Sequence, residues 1–103
     1  MENKTKAQTF IGFAIRAGKF RIGANSVETL KRAELMIVCS TASENTKKQA
    51  ISQANKFHCP IIETKIPLEN LTHRENAKVM AITDKSLSKA ILSNMETDFI
   101  ARN

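Results

Sequence analysis

The 103-residue sequence contains no Trp and no Tyr, and only three Gly, two Pro and two Cys. With those aromatics absent and the five Phe falling mostly on core-facing stripes, stacking of bases on an open sheet is not expected. Three glycines leave little material for a nucleotide loop, and neither a Walker-type phosphate cradle nor a nucleophile elbow is present. No pair of carboxylates stands in a recognisable catalytic setting. The cysteines do not suggest a disulfide framework. Cys39 lies inside the run Leu35-Met36-Ile37-Val38-Cys39 and Cys59 beside Pro60, so each reads as a small buried hydrophobe suited to a reducing cytoplasm. His58-Cys59, with Cys39 and His73 elsewhere, match neither zinc-ligand spacing nor a Cys-His dyad, because sequence neighbours at a strand entry diverge. No apolar run approaches the roughly 18–20 residues that span a bilayer, and no charged segment leads into a hydrophobic stretch at the N-terminus. A cytoplasmic protein is expected, with no membrane, metal, cofactor or small-molecule substrate.

What the chain does have is an apolar fraction of 42% with 25% charged residues, enough to build a core and too apolar for a disordered tail. Its length suits one domain over residues 1–103. Sixteen Lys and Arg against ten Asp and Glu leave a formal charge of +6, which favours polyanionic partners.

Phe10, Ile11, Ala14 and Ile15 form the stripe of an amphipathic helix over Thr5 to Ala17, stopped by Gly18. Lys19-Phe20-Arg21-Ile22 alternates as a short strand, and Gly23 turns into a second helix from Ala24 to about Arg32. Leu35 to Cys39 is continuously apolar, as a central strand covered on both faces should be. Ser43 can cap a third helix with Ala50, Ile51, Ala54 and Phe57 inward. A strand at Pro60 to Thr64 follows, then a short helix introduced by Pro67 and running to Thr72. Val79 to Ile82 is the next buried strand. Asp84 can cap a last helix carrying Leu87, Ala90, Ile91 and Met95 inward, and residues 96–103, without periodicity, read as a frayed tail. Helices alternating with four strands predict an α/β fold, a mixed sheet between helical layers.

The densest basic stretch holds Arg16, Lys19, Arg21, Lys31 and Arg32, with Glu28 its one acid. On a helical wheel Asn25, Thr29 and Arg32 share one face and Val27 and Leu30 the opposite one. Starting that helix at Gly23 leaves its first N–H groups outward, ready for a phosphate, and the Asn25 amide could read a base edge. The same residues also serve ordinary capping in many proteins.

The run Phe10-Ile11-Gly12-Phe13-Ala14-Ile15-Arg16-Ala17-Gly18-Lys19, then Gly23, Leu35 to Val38, Ala42 to Lys48 and Val79 to Asp84, resembles the bacterial branch of the ribosomal-protein family L-seven-Ae/L-thirty-e. The resemblance runs from about residue 8 to residue 95. It implies a three-layer α/β/α sandwich with a roughly four-stranded mixed sheet. It also implies non-catalytic binding of kink-turn or ribosomal-type structured RNA, with the ribosome as one setting. The family's Gly, Asn or acid, Glu and Lys at the second helix fall on Gly23, Asn25, Ser26 and Thr29, so two positions agree and two are altered. Lys31 and Arg32 lie nearby to supply charge, as does Lys19. The family's second RNA-facing element, a loop with a Leu-Gly and a Gly-Lys pair, reads Leu68-Glu69 and His73-Arg74, with Glu75, Asn76 and Ala77 at its tip. Both glycines are replaced, and Glu69 would repel a phosphate it faced. The segment between Gly23 and Leu35 is also short for the family, which trims the second helix or its exit. The alternative is a protein-interaction module of the same fold that no longer binds RNA. A third class is an enzyme built on Cys39 with His58, which requires the two to lie within hydrogen-bond reach.

Overall fold

The computed structural model describes residues 6–74, 77–95 and 99–101. Its elements follow as α1 (Lys6–Arg16), β1 (Phe20–Ile22), α2 (Ala24–Glu28), β2 (Leu35–Cys39), α3 (Glu44–Phe57), β3 (Ile61–Thr64), α4 (Leu68–Thr72), β4 (Val79–Ile82), α5 (Lys85–Ser93) and β5 (Phe99–Ala101). The sheet order is β1-β4-β2-β3-β5. β2 and β3 run parallel, with Ile37 opposite Ile62, and the remaining pairs are antiparallel.

β2 occupies the centre, as its unbroken apolar run implies, and all five of its residues are buried. Side chains alternate across a strand, so Leu35, Ile37 and Cys39 enter one core with Ile11 of α1, Leu68 of α4 and Ile91 of α5. Met36 and Val38 enter a second core with Val27 of α2 and Ala50 and Ala54 of α3. Helices thus cover both faces, which makes the architecture an α/β/α sandwich. The expected caps are present. The Ser43 hydroxyl accepts from the Thr46 N–H and the Asp84 carboxylate from the Leu87 N–H, each worth about 1 kcal/mol.

Two elements differ from the sequence expectation. Within the span read as a frayed tail, residues 96–98 and 102–103 lie outside the described residues, but Phe99–Ala101 forms a fifth strand on β3. Phe99 is 5% exposed and joins the core beneath α1, α4 and α5, and burying that ring offsets the cost of ordering a segment too short to show periodicity. The second helix ends at Glu28 rather than Arg32. There the Thr29 N–H and hydroxyl both donate to the Ser26 carbonyl, at 3.2 and 2.7 Å, closing the helix on a local bond that competes with another turn.

α3 ends at His58 with φ 55, a left-handed conformation that costs a residue with a Cβ about 1–2 kcal/mol. Replacing His58 by Gly removes that cost but adds the glycine entropy penalty. The expected net gain is about 0.5–1 kcal/mol, a Tm a few degrees higher by calorimetry. An unchanged or lower Tm would show that His58 makes compensating contacts.

Candidate nucleic-acid interface

The ends of β1 and β2 and the start of β4 meet at one end of the sheet. Gly23, with φ 91 and ψ 140, sits at the turn into α2, and its N–H donates to the Val79 carbonyl at 2.8 Å. That bond sets the β1–α2 turn beside the segment entering β4. A Cβ on Gly23 would meet nothing within 4 Å, so the backbone angle, rather than crowding, calls for glycine here. Gly23 has no side chain to cap the first turn, which leaves its N–H groups for an outside acceptor. The Gln53 amide holds the turn from α3 by donating to the Ala24 carbonyl at 3.0 Å. Asn25 and Thr29 are exposed and Val27 is buried, as the helical wheel predicts, and Ser26 is exposed beside them. The Thr29 hydroxyl, however, is committed to Ser26. With α2 only five residues long, its dipole is slight and hydrogen-bonding groups must do most of any anion binding.

At α4 and the start of β4 the described residues are arranged differently from what the sequence suggests. Glu69, expected to repel phosphate, has its Oε2 3.1 Å from the Lys78 Nζ, and Lys78 also donates to the Thr41 hydroxyl at 2.9 Å. A hydrogen bond from its own backbone amide, and then Lys78, hold the Glu69 carboxyl below the usual carboxylate range. His73 stands where the resemblance places a glycine, yet it adopts φ 58, so the left-handed turn survives the replacement. Supporting bonds run from the His73 N–H to the Glu69 carbonyl (2.8 Å) and from the Arg74 N–H to the Thr72 hydroxyl (3.3 Å). Glu75 and Asn76, proposed for the loop tip, lie outside the described residues. Ala77, placed at the same tip by the sequence reading, is 1% exposed and belongs to the core, so its side chain cannot meet RNA.

The Lys78–Glu69 pair has a consequence in acid. A carboxylate whose pKa is lowered on folding contributes stability above its unfolded pKa, and that contribution is lost as pH falls through the folded value. The wild type should therefore lose more stability between pH 7 and pH 3 than Lys78→Met, measured by urea unfolding. Equal losses would mean that the pair does not couple to folding.

The basic stretch does not gather at this end. The Lys19 carbonyl accepts from the Thr83 N–H, and the Glu34 N–H donates to the Ile82 carbonyl, so Lys19 and Glu34 flank the far end of β4 from Val79. Arg32 is there too, 3.5 Å from the Glu34 carboxylate, with Lys31 exposed beside it in sequence. Arg74 reaches along the sheet edge, its guanidinium carbon 5.6 Å from the Phe20 ring centroid. Wheel geometry over an unbroken helix had drawn Arg32 to the same face as Asn25, and the early end of α2 removes that relation. Lys78 was not legible as a site residue, because its partners Thr41 and Glu69 are distant in sequence.

Cys39 closes β2 and pairs in register with Thr64, whereas His58 precedes β3, parallel to β2. The two therefore lie toward opposite ends of the sheet, and the thiol of Cys39 instead meets the Thr41 hydroxyl at 3.0 Å. Burial, with a contribution from Glu34, pushes the Cys59 thiol up to about 11. An aromatic disulfide reagent at pH 8 should label neither thiol until the protein is denatured, and rapid labelling of the native protein would contradict the burial of both.

No helix among the described residues is long and apolar enough to cross a membrane. No protein-family model matches the chain. The chain is similar to RNA-binding protein YlxQ of Enterococcus faecium, 34% identical over 64 residues, a match covering 59% of this chain and 62% of that protein. It therefore spans less than two thirds of the relative's length. A solved structure, of a protein with unknown function from Bacillus halodurans C, superposes with a TM-score of 0.75 at 20% identity, covering 87% of this chain and 96% of that one. That likeness concerns the fold.

Proposed function

We propose that this protein binds structured RNA without catalysing a reaction on it, and that its ligand is a sharply bent RNA of the kink-turn type, such as ribosomal RNA provides. The observation that carries this reading is the Gly23 N–H to Val79 carbonyl bond, which brings the turn bearing the exposed Asn25 and Ser26 beside the start of β4, next to Lys78. The resulting face has free donors in a turn, an amide that can both donate and accept, and a neighbouring carboxylate already countered by Lys78. Such a face suits a backbone that turns sharply, because first-turn N–H groups meet phosphate oxygens while Asn25 reaches a base edge exposed by the bend. Resemblance to a protein named for RNA binding supports the partner class, and the net charge of +6 supports a polyanion. Lys19, Lys31 and Arg32, at the other end of the sheet, contribute a steering field rather than contacts at the bend.

The test is a gel-shift titration with a kink-turn hairpin and a straight duplex of the same length, at two salt concentrations. Tighter binding to the bent RNA, weakened by salt, is the expected result. Equal affinity for the two RNAs removes the bend-specific claim. Binding to neither, with a protein partner surviving nuclease treatment in a pull-down, favours an interaction module of the same fold.

A further inference from the structure

The edge of the sheet at β1 carries a second cationic surface that the bend-binding face does not use. Arg16, in the last turn of α1, has its guanidinium carbon 5.1 Å from the centroid of Phe13, itself 44% exposed. An open groove of about 350 Å³ between α1 and α4 is lined by Gly12, Ile15 and Arg16 from α1 and by Leu71 and His73 from α4. Arg74, the next residue after His73, lies over the Phe20 ring. Arg21 donates to the Phe20 carbonyl at 3.1 Å, but it pairs with Ala81 and its side chain leaves the strand on the opposite face from Phe20. Lys19 is exposed just before that strand.

Three features distinguish this surface from a merely solvated set of lysines and arginines. Two of its guanidiniums lie over aromatic rings, their carbons 5.1 and 5.6 Å from the ring centroids, a cation–π contact that favours their placement at this edge. Among the described residues no carboxylate neutralises it: residues 6–16 contain neither Asp nor Glu, the groove lining is free of them, and Arg16, Lys19 and Arg74 form no ion pair. The third is Gly12. A glycine inside a helix is unfavourable relative to Ala, and a Cβ at Gly12 would meet nothing within 4 Å. Packing therefore does not require it, and its effect is to keep the groove between α1 and α4 open.

We infer that this groove and its flanking arginines form a second RNA contact, receiving the sugar-phosphate backbone of a strand that continues beyond the bend. The inference rests on the RNA-binding reading above but concerns a different surface. Arginine guanidiniums bind phosphate oxygens through two parallel N–H bonds, which needs no particular base. The contact is therefore sequence-independent and adds affinity in proportion to the RNA available to reach it.

The experiment compares two kink-turn hairpins, one cut back to the bend and its closing pairs and one extended by a helical turn on each side. Wild-type protein should bind the extended hairpin more tightly. Arg16→Ala with Arg74→Ala should weaken the extended hairpin about tenfold and lower its salt slope by about two, leaving the short hairpin within about twofold. Gly12→Leu fills the groove without changing charge and favours the helix, so it should weaken the extended hairpin several-fold while the melting temperature stays the same or rises by a few degrees. Wild-type affinity and slope in the arginine variant, or equal losses on both hairpins, would overturn the second contact while leaving the bend-binding reading intact. Loss on the extended hairpin in a protein that does not prefer bent to straight RNA would support the groove and remove the bend. Absence of RNA binding by the wild type removes both.

Discussion

Replacing Asn25 by Ala is expected to weaken binding of a kink-turn RNA about tenfold or more while leaving the fold untouched. A bidentate amide-to-base contact is worth about 1–3 kcal/mol of discrimination, and part of that loss should appear as reduced preference for the bent RNA over a straight duplex. The fold should be spared because Asn25 is exposed and its side chain bonds to no described residue, and surface changes of that kind usually stay within about 0.5 kcal/mol. Asn25→Asp separates the roles of shape and chemistry. It keeps the size of the side chain, removes the donor and adds a negative charge next to phosphate, so it should bind more weakly than Asn25→Ala. Filter-binding titrations with the two RNAs, alongside thermal melts, give the comparison. If Asn25→Ala binds the bent RNA as tightly as the wild type does, the first turn of α2 is not a recognition element.

Truncating Ile37 to Ala should cost about 2–5 kcal/mol of folding stability, the range for removing a large buried aliphatic side chain. That is a large part of the roughly 5–15 kcal/mol that holds a domain together, and it corresponds to a fall in Tm of 10 °C or more. Ile37 is fully buried at the middle of the central strand, paired with Ile62 on one side and Met80 on the other. It faces the core shared with α1, α4 and α5, so the cavity has three helices around it, none of which can collapse into it without leaving the sheet. Urea unfolding at constant slope measures the loss. A loss below about 1 kcal/mol would mean that the helices over this face repack freely, contrary to a close-packed interior. RNA binding by the folded fraction should be unaffected, because Ile37 lies on the sheet, away from the Gly23 turn.

The caps and stripes of the long helices were readable from local pattern. Ser43 and Asp84 act on N–H groups three residues ahead, and Ile11 and Ala14 face inward because successive turns of one helix place them there. The central position of β2 was readable for a similar reason, since only a strand covered on both faces can be apolar throughout. For the candidate site, the exposure of Asn25 and Ser26 and the need for glycine at position 23 were likewise legible, each being a property of one turn. The number of strands was not, because β5 is three residues that pair with β3, 35 to 39 residues earlier. Nor was the end of α2, where a single Thr29 hydroxyl bond decides between one more turn and none.

Sequence by itself therefore determined the class of fold, the order of its main helices and strands, the cationic character and the chemistry of the Gly23 turn, all of which depend on residues a few positions apart. Only the tertiary structure decided which charges share a surface. It separated Lys19 and Arg32 from Asn25, set Lys78 against Glu69, and brought Arg74 to Phe20 beside the groove that Arg16 lines. Electrostatic effects depend on distance through space, and strand order sets those distances between residues far apart along the chain.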